Sequence, residues 1–243
     1  MFNGFTPAAI DFLWGIRFNN NRDWFQAHKA EYQRDLYQPM LALADAVREK
    51  FQIEGTVLKT SRIYRDVRYS GGIPYKEHLW FCIRQDNVFW SEHPSMYFQI
   101  EPEGGSFGFI HYAPKAALMN LHRKKLLEKP EAFLSIVEQL EKNGRFTDQS
   151  TRYKRPKPGG TPELEHWYQL KNCFFQQEIP VGEELFAETE KMRLAALRDV
   201  PVPSAPAGKP QGGKDAKPAA PSQTIYGKPF HGNVTPMREL SQD

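Results

Sequence analysis

Three arginines, a lysine, an aspartate and three tyrosines crowd into the fifteen residues from Arg62 to Lys76, around a Gly71-Gly72 pair. Arginine forks bind phosphate or carboxylate oxygens two at a time. The chemistry these residues suggest is therefore the binding of a small anion. In that reading Arg62, Arg65 and Arg68 orient the anion and Lys76 adds a point charge. Asp66 positions an arginine or acts as a base, and Ser70 completes the group. Gly71 and Gly72 would let the backbone approach closely. The Asn19-Asn20-Asn21-Arg22 turn precedes a helix, whose N-terminus also favours anions. Asn20 and Arg22 are thus candidates for a second wall of the same pocket.

A structural alternative stands beside this one. Taken as a strand, residues 62–69 place Arg62, Tyr64, Asp66 and Arg68 on one face. Ile63, Arg65, Val67 and Tyr69 fall on the other. Arg65 then lies between apolar neighbours, and a charge held there needs a carboxylate. Asp23, Glu31 and Glu101 are the candidates, which would make Arg65 a tie between sheet and helices and leave Arg62, Asp66 and Arg68 as the functional side.

Other chemistries find little support. The seven histidines make no HxxxH or HExxH pattern and do not sit with cysteines at zinc spacing. Cys82 and Cys173 lie in apolar runs and read as buried thiols. No GxSxG elbow, Walker-type loop or GxGxxG is present. No metal and no cofactor is expected, and the residues name a ligand class rather than a reaction.

The elements that must position these groups follow from periodicity. Thr6-Pro7 opens a helix to about Phe18, and the three asparagines end it and cap the next, with Asn20 as N-cap and Asp23 at N3. Phe25, Tyr32, Leu36, Met40, Leu43, Val47 and Phe51 define one face of a long helix. Pro39 predicts a kink near Tyr37-Gln38, and Gly55 stops the helix. Strands follow from Val57, at Leu79–Ile83, at 88–90, at 96–101 and around Phe107 and Phe109, with a turn over Pro102–Ser106. Helices return at 115–128 and 130–142. An irregular basic segment reaches Gly160, and a helix runs from Thr161-Pro162 to Leu170. A strand at 173–177 and a helix at 182–198 complete the pattern. The absence of strand-helix alternation argues against a doubly wound parallel sheet. The predicted class is α+β: an antiparallel sheet flanked by N-terminal and C-terminal helices.

Two motifs, Asn19-Asn20-Asn21-Arg22-Asp23-Trp24-Phe25 and Arg65-Asp66-x-Arg68-Tyr69-Ser70 with Pro74-Tyr75-Lys76, resemble the signature of a widespread bacterial and fungal family catalogued only as a domain of unknown function. That signature reads roughly NNNREWF, then RDxRFSxDKxPYK. The resemblance covers residues 2–198 and implies an α+β domain with no established activity. The family pattern has four residues between its Ser and Pro, an Asp-Lys pair among them. Here only Gly71-Gly72-Ile73 stand there. If that pair belongs to the family's site, the site is altered in this chain.

Residues 1–199 form the expected domain, and 200–243, rich in Pro, Ala, Gly and Lys, a flexible tail. Net charge is +3 over 243 residues; five basic and three acidic residues from Pro201 onward contribute +2 of it, leaving +1 for the rest. So balanced a domain lacks the electrostatic footprint of a duplex-binding protein. Nucleic acid, through the basic loop 145–158, is therefore the weakest partner reading. A non-catalytic interaction module that docks a protein partner through its tail is the stronger alternative to the anion site. No basic segment followed by an apolar run opens the chain, and no membrane span is seen, so a cytoplasmic protein is expected.

Overall fold

A computed structural model describes residues 2–51, 54–66, 68, 70–86, 93–142 and 146–186. The chain opens with α1 (Pro7–Phe18), preceded by Thr6 at the N-cap, and α1 closes where the Asn19 amide donates to the Gly15 carbonyl at 3.0 Å. α2 (Arg22–Ala27) is capped by Asn21, whose side chain accepts from Trp24 N at 2.9 Å. The expected cap, Asn20, is occupied elsewhere.

The long helix anticipated from Phe25 to Phe51 is built in pieces: α3 (Lys29–Glu31), a π-helical stretch (Tyr32–Tyr37) and α4 (Gln38–Phe51). Tyr32, Leu36 and Met40 are all buried at successive spacings of four. In a regular α-helix eight residues overshoot two turns by about 80°, and the wider turn returns them to one face. Pro39 follows one residue after it, in the first turn of α4. Its ring would collide with the carbonyl four residues back in a tight helix, so the wide turn also relieves that clash.

Among the described residues six strands form one sheet: β1 (Thr56–Thr60), β2 (Leu79–Gln85), β3 (Ser95–Glu101), β4 (Gly104–His111), β5 (Thr147–Asp148) and β6 (Cys173–Pro180). Their order is β1-β2-β3-β4-β6-β5, with every neighbouring pair antiparallel. The chain turns from β3 to β4 in the two residues Pro102-Glu103, tighter than expected, so Gly105 and Ser106 already belong to β4. The expected strand at 88–90 lies outside the described residues, as does most of the expected helix 182–198, of which α8 (Glu183–Phe186) is described.

One sheet face carries Leu79, Phe81, Ile83, Met96, Phe98, Ile100 and Phe107, all buried against α1, the π-helical stretch and α4. The other carries Tyr97 and Gln176, joined by a 3.0 Å hydrogen bond from the Tyr97 hydroxyl. Gly108 occupies a β4 position where a side chain cannot fit, because a Cβ there would lie 2.0 Å from the Phe175 carbonyl oxygen of β6. α5 (Ala116–Glu128), α6 (Pro130–Lys142) and α7 (Glu165–Tyr168), the last preceded by a 3₁₀ turn at Pro162–Leu164, gather around Met119, Leu126, Val137, Trp167 and Leu170. Buried Arg123 ties this second core together, donating to the carbonyls of Tyr168 and Leu170 at 2.9 Å each. Among the described residues no helix is long and apolar enough to cross a membrane.

Candidate cationic site

Beyond Thr60, the β1–β2 ladder continues irregularly. Ser61 N donates to Trp80 O at 2.7 Å, and Trp80 N turns to the Ser61 hydroxyl at 2.9 Å. Pairing resumes with Lys76 N to Ile63 O at 2.7 Å, the Tyr64–Tyr75 bridge, and Arg65 N to Pro74 O at 2.8 Å. Between these two points a single residue, Arg62, faces three: Glu77, His78 and Leu79. Residues 62–69 are therefore not the regular strand anticipated. They form one arm of a short hairpin joined to the sheet through a bulge. Extra residues on one side of a ladder bend it and re-aim side chains.

Two devices hold the hairpin against the helices. Tyr75 stacks on Phe25 of α2 with ring centroids 4.2 Å apart. The Asn20 side chain grips the Tyr75 backbone from both sides, accepting from its N–H at 3.0 Å and donating to its carbonyl at 3.1 Å. This is why Asn21, not Asn20, caps α2. The neighbouring Arg22 is exposed on the first turn of α2 and within electrostatic reach of Tyr75.

The alternation inferred from sequence persists in part. Ile63 is buried, Arg62 and Tyr64 are exposed, and Arg65 is half-buried. Among the described residues, however, Arg65 has no carboxylate partner. Asp23, Glu31 and Glu101 make no ion pair with it, and its Nε is buried without a hydrogen-bond partner among the described residues. Glu101 lies elsewhere, accepting from Gln99 at 3.2 Å, its carboxyl pushed up by burial and by Glu103.

Arg65 lies within electrostatic reach of a second cation, Lys76. Lys76 is buried, and its ammonium crosses the bulge to donate to the Arg62 carbonyl at 2.7 Å. Burial first, then Arg62, Arg65 and Lys59, bring its value down to about 8. His78 is held neutral, down to about 4, by burial and by the charges of Lys76 and Arg65. The two acids next to these residues in sequence, Asp66 and Glu77, each contact another arginine. Asp66 takes a two-pronged contact from Arg68, at 2.9 and 2.6 Å, on the surface. Glu77 accepts from Arg17 Nε at 2.8 Å, and the same guanidinium reaches Glu103.

The structure thus separates the nominated residues. Arg62, Arg65 and Lys76 come together at the bulge. Asp66 and Arg68 close on each other at the hairpin tip, where Ser70 donates to the Ile73 carbonyl at 2.6 Å and Gly71 and Gly72 adopt positive φ. Asn20 and Arg22 stand on the Tyr75 side. Lys59 and His78 were missed. His78 follows Lys76 by two residues, a spacing that sequence alone gave no reason to single out.

The basic loop has internal partners. Arg152 pairs with Asp148 and contacts His166. Tyr153 carries Lys157 over its ring at 4.8 Å, with Arg123 and Lys171 each at 5.3 Å. Both cysteines are free thiols, Cys82 pushed up to about 11 and Cys173 to about 12, chiefly by burial. Among the described residues no three His, Cys, Asp or Glu side chains group as a metal site would require.

Compared with known families, residues 8–200 match a family model described as "Conserved hypothetical protein (DUF2461)". No curated protein and no solved structure matches the chain.

Proposed function

The chain belongs to DUF2461, a family of conserved hypothetical proteins, and from the side chains it carries we propose that it binds a small anionic ligand, phosphate or carboxylate, on Arg62, Arg65 and Lys76. The observation that carries this reading is Arg65, whose Nε is buried without a partner beside a buried lysine. A buried guanidinium nitrogen without a hydrogen-bond partner is costly to fold. A bound anion removes that cost, and the hairpin presents donors for it from both arms. Asp66 and Arg68 satisfy each other and stand outside the binding group.

A thermal-shift panel of phosphorylated and carboxylated metabolites tests the proposal. A ligand at a hundredfold excess over its Kd adds about 2.7 kcal/mol of stability, which for a chain of this size raises Tm by roughly 5–10 °C. Arg65→Met is expected to abolish the response, and Arg68→Ala to keep it. No response from any ligand, or an equal response from Arg65→Met, defeats the proposal.

A further inference from the structure

The basic loop that follows β5 gathers charge around one ring. Lys157 Nζ lies over Tyr153 at 4.8 Å from the ring centroid, and Lys171 Nζ and the Arg123 guanidinium lie at 5.3 Å each. Because all three are measured to one centroid, no two lie farther apart than their two distances combined. Among the described residues no carboxylate contacts any of them. Buried Arg123 has neutral acceptors, the carbonyls of Tyr168 and Leu170 and the Asn120 side-chain oxygen. Lys154, Arg155, Lys157 and Lys171 are all exposed, while Arg152 is balanced by Asp148. Backbone bonds fix the arrangement. Tyr153 N donates to Gln169 O at 2.9 Å, and Lys171 N donates to Thr151 O at 2.8 Å. The buried Gln169 side chain grips the Lys157 backbone, accepting from its N–H at 2.8 Å and donating to its carbonyl at 3.0 Å. Glu165, the acid in this network, accepts from the same amide at 2.9 Å.

We infer that this surface binds the phosphate backbone of single-stranded nucleic acid without reading its bases. Like charges held around one ring repel each other, and a polyanion relieves that repulsion. Lysine serves phosphate as a point charge. An exposed lysine holds a lone phosphate weakly, whereas a chain charged at every nucleotide engages Lys154, Arg155, Lys157 and Lys171 together. With three cations over it, the Tyr153 ring offers no face for a stacked base, so the surface registers charge alone. A protein partner would need an apolar or aromatic anchor, and lysine is depleted at protein interfaces. Residues 151–172 expose no large apolar side chain. Net charge placed nucleic acid last among the partners, but a cluster this local does not show in a balance taken over the whole domain. Its size suits a short single strand rather than the broad footprint of a duplex.

Fluorescence anisotropy of a labelled oligothymidine with the full chain, measured across a salt series, tests it. The logarithm of affinity should fall with the logarithm of salt at a slope of about −0.7 for each phosphate neutralised, hence about −3 for four cations. Lys157→Gln and Lys171→Gln should each bring that slope about 0.7 closer to zero. Both lysines are exposed, so an unchanged urea midpoint will show that the variants fold. Arg34→Gln removes an exposed arginine that is paired with Asp35 and should leave the slope as it is. Oligocytidine of the same length should bind as tightly as oligothymidine. Absence of binding, a slope that neither lysine variant changes, or a marked preference between the two strands overturns the inference. Polyglutamate that displaces the strand at equal charge concentration overturns it as well, and reassigns the surface to an acidic polypeptide.

Discussion

Asn20 offers the sharpest test of how the site is held. Its side chain makes two hydrogen bonds to the backbone of Tyr75, a residue only 2% exposed. Asn20→Ala leaves both the N–H and the carbonyl of Tyr75 without that partner. A net contribution of about 1 kcal/mol per bond, plus a share of the desolvation of the groups left behind, gives about 2–3 kcal/mol. Asn21→Ala removes one exposed N-cap bond, worth about 1 kcal/mol. Asn19→Ala removes one exposed bond to Gly15 and should cost less than either. Urea unfolding followed by tryptophan fluorescence would rank the three at pH 7. Tm should fall by roughly 4–10 °C for Asn20→Ala. An Asn20→Ala cost no larger than that of Asn21→Ala would refute the account of Asn20 as the clamp of the hairpin.

Three more outcomes are expected. Lys76 has a value lowered by burial and by neighbouring cations, so between about pH 8 and its ordinary value near 10.4 the unfolded chain holds more protons, and the native state gains stability as pH rises; the stability gap between Lys76→Met and the parent should shift in the parent's favour from pH 7.5 to 9.5, and a constant gap contradicts this. Arg123→Met strips donors from two buried carbonyls and should cost about 3–5 kcal/mol, read as a lower urea midpoint; a change under about 1 kcal/mol would show that water replaces the guanidinium. Gly108→Ala forces β4 away from β6 and should destabilise by more than about 2 kcal/mol, whereas alanine at Gly71, with open space around it, meets only the strain of its positive φ.

Much of the sheet could be read from local pattern. Met96, Phe98 and Ile100 alternate in sequence and are buried together, and the apolar run from Leu79 belongs to a central strand. What could not be read depends on distant pairing. Asn20 and Asn21 are equally good caps by type, and only Tyr75, fifty-five residues away, assigns them different tasks. The bulge needs both arms of the ladder before it exists, so Arg62 and Arg65 looked like positions on opposite faces of a strand, with Lys76 beyond the turn. Glu77 would count as a neighbour to those cations, yet Arg17, sixty residues earlier, takes it. The π-helical stretch did leave a trace. Tyr32, Leu36 and Met40 at spacings of four without an intervening three are more than a regular helix keeps on one side.

That wide stretch has a consequence for the length of the chain. A π turn accommodates one residue more than an α turn while both ends stay in register. Between Tyr32 and Tyr37 loss of a single residue would tighten the helix and leave Met40, Leu43 and Val47 facing the sheet, at the cost of returning the Pro39 ring to the carbonyl four residues back. The same deletion a few residues later, inside α4, would rotate everything after it by about 100° and turn those side chains away from β2. The helix has one place where its length is adjustable, and it lies just before the segment that must face the sheet.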